Sequence, residues 1–288
     1  METDAIANLM LGILSGVATL VVISLGLAVV FGMMGIINFA HGEFLMLGAF
    51  GTLTAVRAGL GIWLSMVVAA VAVGAFGLLV ERLLIQRLYG RLEATMLATF
   101  GLSLILVQGA VLIWGTSTQG VPTPLGSFTI GRYSISEYRI VVIVAAAALL
   151  ALVWWTFTRT RFGVMARAAT QNREMASALG INSSRINMGT FAFGAALAGA
   201  GGALLAPLVA VAPSMGGAYI ARAFMTVVVG GPGVVSGTAS ASGLLGAVQR
   251  IVSDLSTAFV GTAALLVVAI VLLRVMPTGI SGRRRWSL

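Results

Sequence analysis

The sequence predicts an all-α polytopic membrane protein of about eight or nine transmembrane or partial helices. Three observations predict it. The first is composition: of 288 residues, 59% are hydrophobic and only 9% charged, more apolar surface than a soluble core of this size can hide. The second is segmentation. Apolar runs lie at 7–31, 33–56, 62–80, 95–114, 139–158, 188–212 and 256–275, with a broken pair, 219–231 and 236–250, before the last. About 20 apolar residues carry a helix across the hydrocarbon layer. The third is charge placement. The net charge of +9 is carried by arginine without any lysine, and the arginines cluster between the runs.

Taken in order, the N-terminal METDAIANLM is acidic and lacks a basic n-region. The first run is therefore expected to stay as a helix and not to be a cleaved leader. Arg82, Arg87 and Arg91 share one polar interval. Arg159, Arg161, Arg167, Arg173 and Arg185 share another, and Arg274, Arg283, Arg284 and Arg285 close the chain. Translocating arginine is costly, so these intervals are expected to be cytoplasmic. That places the N-terminus outside and the C-terminus inside, provided 219–252 makes two passes. Arg57, Arg132, Arg139, Arg222 and Arg250 then face outwards or sit at the outer interface. The whole chain, 1–288, is expected to form one transmembrane domain. Its external loop is 115–137, rich in Gly, Pro, Ser and Thr and read as turns with a short hairpin. Its cytoplasmic loop is 159–187. Four passes precede 115 and four follow 188, with 139–158 between them, which suggests an inverted repeat.

The cytoplasmic loop reads as more than a charged connector. Ala166, Ala169, Arg173, Ala176 and Leu179 share helical spacing, and Gly180 then offers a C-terminal stop. A short amphipathic helix is expected at the inner face. One reading has it dock on an ATPase subunit; the other has it touch only lipid headgroups. Thr170, Gln171, Asn172, Glu174 and Ser177 are short or neutral polar groups, which favours a protein partner over an anionic lipid surface.

Within the second run, Asn38, His41 and Glu43 place an amide, the chain's single histidine and a carboxylate inside apolar sequence. Ionisable groups at membrane depth usually face a cavity or a partner, so these three are candidates for the substrate path. The alternative is a helix N-terminus capped by Asn38, with Glu43 favoured by the dipole. The small residues of 189–202 read as close helix packing. The run Gly230-Gly231-Pro232-Gly233 reads as a turn between partial helices and lacks the Gly-Lys-Ser/Thr of a phosphate loop. Cysteine is absent, so disulfides and thiolate metal sites are excluded. One histidine with scattered acids offers neither a metal site nor catalytic groups. No enzyme activity, resident cofactor or nucleic-acid partner is expected.

The segments GIINFAHGEFLMLGAF, QNREMASALGINSSRI, VVVGGPGVVSGT and VMPTGISGR resemble, in the same order, the first of the two permease subunits of branched-chain amino-acid ABC importers. Permeases of urea, short-amide and aromatic-acid importers are similar. The resemblance implies a bacterial inner-membrane permease working with a second homologous permease, two cytoplasmic ATPases that bind the ATP, and a periplasmic solute-binding protein. By position, it places the family's ATPase-coupling loop on Thr170 to Gly180. The rival expectations are a stand-alone secondary carrier or a channel.

Overall fold

A computed structural model describes residues 2–130 and 133–282. Arg132, Arg283, Arg284 and Arg285, which enter the charge pattern above, lie outside the described residues. Eleven α-helices make up the described chain. The first, α1 (Glu2–Met34), has 33 residues and is about 50 Å long. It is followed by α2 (His41–Arg57), α3 (Ile62–Leu83) and, after a 3₁₀ turn at Ile85–Leu88, α4 (Leu92–Trp114). Next come α5 (Tyr138–Arg159), α6 (Arg161–Gln171), α7 (Arg173–Ala178) and α8 (Ser183–Leu205). The last are α9 (Met215–Gly230), α10 (Val234–Leu255) and α11 (Ala258–Val275). Six helices are long and apolar enough to cross a membrane alone; α9 and α10 meet that test only together and are bent by 116° at their junction, the form of a broken span or a re-entrant turn. The 17-residue α2 is shorter than these.

The sequence boundaries need two corrections. The runs 7–31 and 33–56 were expected to meet near residue 32, but α1 continues to Met34 and α2 begins only at His41. Gly35, at φ +65°, ends the first helix with a conformation that suits glycine. The run 188–212 was expected as one helix, but α8 starts at Ser183 and ends at Leu205. The Asn182 side chain accepts from the Arg185 N–H at 3.1 Å and starts it early. At the other end Pro207 has no N–H with which to extend the ladder. In the 115–137 loop, β1 (Ser127–Ile130) pairs antiparallel with β2 (Tyr133–Ser136). Two backbone hydrogen bonds between Gln119 and Val211, of 2.9 and 2.8 Å, pin that loop to the connection after α8.

The centre is the antiparallel pair α1 and α8. Gly26 lies against Gly194 and Ala198, and Gly201 against Val22. Between apolar helices in lipid there is no hydrophobic driving force, so close backbone approach supplies the attraction. The glycines of α8 allow it: a Cβ on Gly202 would overlap the Leu45 carbonyl, and one on Gly199 would press on Val73. Around the pair, α3 packs on α8 (Gly74 and Gly77 on Ala196 and Ala195) as α10 packs on α1 (Gly246 on Val17, Val234 on Gly32). The N-termini of α2 and α9 meet at Gly42 and Gly216. Exchanging α1 for α8, α2 for α9 and α3 for α10 leaves this packing scheme unchanged, which is the form of an inverted repeat. The outer helices α4, α5 and α11 expose Leu97, Ile105, Leu112, Val144, Phe259 and Val267, the apolar faces a bilayer requires.

Candidate functional site: the α6–α7 hinge and the α1–α2 break

At one end of the bundle, Thr160 caps α6 by accepting the Gly163 N–H at 3.1 Å. The single helix expected over Ala166 to Leu179 is two helices. Asn172 lies between them in extended backbone (φ −152°, ψ 103°), and its Oδ1 accepts the Met175 N–H at 2.9 Å. An asparagine that caps a new helix competes with continuation of the old one, so the common face read from spacing is broken at this residue. Ala166 and Ala176 are buried and Ala169 is half-buried, whereas Arg173 and Leu179 are exposed. Gly180, at φ +83°, closes α7: its N–H donates to Ser177 O at 3.0 Å and the Ile181 N–H donates to Ala176 O at 3.0 Å. Thr170, Gln171, Asn172, Arg173, Glu174 and Gly180 all lie exposed along the hinge. Met175 at 60% and Leu179 at 75% exposure present apolar side chains among these polar ones.

The underside of the hinge is tied to the bundle. The Thr170 hydroxyl lies 2.6 Å from Met33 O, at the end of α1, and 2.9 Å from Ala166 O. The Arg173 guanidinium stands 5.2 Å from the centre of the Tyr89 ring. The Tyr89 hydroxyl bonds the carboxyl of Glu81, which is fully buried in the last turn of α3. Burial first, and the Glu81 carboxyl second, hold the Tyr89 phenol well above its ordinary range, so it remains a donor. A cavity of about 400 Å³ opens between these parts, lined by Met34, Gly35, Tyr89, Arg91, Thr170 and Arg173 among others. Glu81 and Tyr89 escaped the sequence reading. The available signal was an acid in the last turn of an apolar helix, eight residues before a tyrosine.

The α1–α2 break carries Asn38, His41 and Glu43, all buried. Asn38 is not the cap of α2, as one reading had it. It lies in the non-helical break, and its Oδ1 accepts the Ala40 N–H at 3.0 Å, while Ala40 holds the cap position without a side-chain bond. His41 Nε2 lies 2.8 Å from Ile23 O. A carbonyl only accepts, so Nε2 carries the proton. Ile23 lies eleven residues before the end of α1, about 16 Å back along its axis. The chain thus turns back inside the bundle before α2 begins. The Phe39 N–H donates to Thr99 Oγ1 at 3.2 Å, which supplies one of the partners that irregular backbone at membrane depth requires. Glu43 stands in the first turn of α2, and its Oε2 has no hydrogen-bond partner among the described residues. The structure brings these three residues to one break, next to the meeting of Gly42 and Gly216, and not to the α6–α7 hinge. No group of three or more His, Asp or Glu suited to a metal occurs among the described residues.

Helices interrupted at buried ends and packed about an inverted pair are how many membrane transport proteins are built, and a multi-pass permease component is the class this architecture defines. The chain belongs to the family described as branched-chain amino acid transport system / permease component, whose profile matches residues 9–276. It is 34% identical to the high-affinity branched-chain amino acid transport system permease protein LivH of Escherichia coli K12 over 92% of each chain. It is 31% identical to the corresponding permease protein BraD of Pseudomonas aeruginosa, again over 92% of each. No solved structure matches the chain.

Proposed function

We propose that the chain is the membrane-spanning subunit of an ATP-driven importer of branched-chain amino acids, coupled to its motor through the α6–α7 hinge. The observation that carries the reading is a surface with two sides. Met175 and Leu179 project outwards as apolar contacts, while Thr170 and Arg173 hold the hinge to the end of α1 and to Tyr89. A partner that grips the outer side displaces both attachments together. Two cytoplasmic ATPases, which bind the ATP, are that partner. A second homologous permease completes the path through the bilayer, and a periplasmic solute-binding protein delivers the solute.

The hinge end is cytoplasmic on this reading, with the N-terminus outside and the C-terminus inside. Arg82, Arg87, Arg91, Arg159, Arg161, Arg167, Arg173, Arg185 and Arg274 flank the helix ends on that side, in keeping with arginine retention on the inner face. Asn38, His41 and Glu43 are the candidates beside the solute path. Coupling then requires that nucleotide binding favours one of two permease states, since a ligand without such preference shifts nothing.

The test is affinity purification in mild detergent followed by uptake in liposomes. Co-purification of ATPase subunits and uptake of leucine that requires ATP are expected. Leucine transport by the isolated chain without ATP would refute the proposal in favour of a carrier or channel.

A further inference from the structure

Three of the arginines that the sequence assigns to the outer side converge on one cavity. It lies at the end of α1 remote from the α6–α7 hinge and has a volume of about 260 Å³. Arg139 reaches it from the start of α5, Arg222 from α9 and Arg250 from α10. The facing wall on α1 is Gly12, Ser15, Gly16 and Thr19, completed by Gln249. Gly12 makes room for the Arg250 guanidinium, which lies against it, while Thr19 Oγ1 donates to Ser15 O at 2.8 Å and Gln249 Nε2 to Thr262 Oγ1 at 3.3 Å, so the donor capacity of the cavity rests with its arginines.

The charges in this cavity do not cancel. Arg250 is held by Asp254 through two contacts, Nε to Oδ2 at 3.0 Å and an amine nitrogen to Oδ1 at 2.9 Å. Neither Arg139 nor Arg222 pairs with a carboxylate among the described residues. Arg222 donates from Nε to Ala218 O at 3.2 Å and stacks on Tyr219 at 4.7 Å. Those contacts fix the direction of its planar fork without neutralising it. All three arginines are half-buried, and charge in a partly dry cleft is costly unless an opposite charge arrives. A fixed guanidinium fork suits a planar carboxylate.

We propose that the Arg139, Arg222 and Arg250 cavity is an oxyanion site that receives the carboxylate of the arriving solute before it enters the bundle. The assignment to a solute rests on the amino-acid reading above; the oxyanion chemistry rests on the arginines alone. An anionic lipid headgroup carries the same chemistry, and the experiment separates the two.

Thermal unfolding of the purified permease–ATPase complex, prepared without the solute-binding protein, is measured with leucine, leucinamide, acetate or a phosphatidylglycerol micelle. Wild type is expected to be stabilised by leucine, and by acetate at higher concentration, but not by leucinamide. Arg222→Gln and Arg139→Gln should each weaken the leucine effect by about tenfold to a hundredfold. Arg222→Lys, which keeps the charge but not the fork, guards against misfolding and should retain part of the effect, more than Arg222→Gln does. Equal stabilisation by leucinamide, an unchanged leucine effect in both glutamine variants, or stabilisation by the lipid alone would each overturn the solute site. Leucine uptake by the full transporter is scored separately. A complex that binds acetate at these arginines yet does not import leucine contradicts the cargo reading while leaving the oxyanion site standing.

Discussion

Tyr89→Phe is the most informative single change, because it deletes one hydroxyl and leaves the ring. The Glu81 carboxyl is fully buried; among the described residues its bonded partner is that hydroxyl, and its other oxygen has none. Removing the partner leaves a buried polar group unsatisfied, which costs about 1–3 kcal/mol. The Arg173 contact is with the ring face and should survive in phenylalanine. The cost therefore belongs to the Glu81 bond and not to the cation–π contact. Unfolding of the purified permease is measured for wild type, Tyr89→Phe, Glu81→Gln and the double variant. The coupling energy between the two sites is expected at about 1 kcal/mol or more, since residues in direct contact are non-additive. Additive costs would refute the reasoning, because they would mean that the hydroxyl stabilises the protein without Glu81.

Further expectations concern both sites. Thr170→Val removes the hydroxyl that reaches Met33 O; ATP hydrolysis per molecule of solute imported is expected to rise, while assembly with the ATPases persists. Gly180→Val places a β-branched residue at φ +83° and is expected to cost about 1–2 kcal/mol locally, seen as faster proteolysis of the hinge. Glu43→Gln should lower uptake more than it lowers the yield of folded protein; full uptake would assign Glu43 to the helix start alone. Gly202→Val drives a side chain into the Leu45 backbone and should destabilise the bundle by about 1–3 kcal/mol, read as a lower melting temperature in detergent.

Much of this architecture was legible because composition and periodicity are strong signals in lipid. Runs of apolar residues named the spans, and the glycines of 189–202 foretold the close packing of α8. What escaped was set by contacts distant in sequence or by local capping. The break after Met34 lies inside an unbroken apolar run, so hydropathy could not place it, and only the pairing of His41 with Ile23 reveals how deep α2 begins. Asn172 looked like one polar residue on an amphipathic face, yet its side chain starts a new helix. Glu81 and Tyr89 were invisible as a pair because a turn brings them together. The convergence of Arg139, Arg222 and Arg250 needed three helices to be placed in space.

Crosslinking from the hinge tests the docking role most directly. The chain has no cysteine, so Leu179→Cys introduces a single reactive thiol at a position 75% exposed. In the assembled transporter that thiol is expected to crosslink to an ATPase subunit, and the yield should change on addition of ATP. A thiol that labels freely with an aqueous maleimide, at the same rate with and without bound ATPases while leucine uptake proceeds, would contradict the docking role.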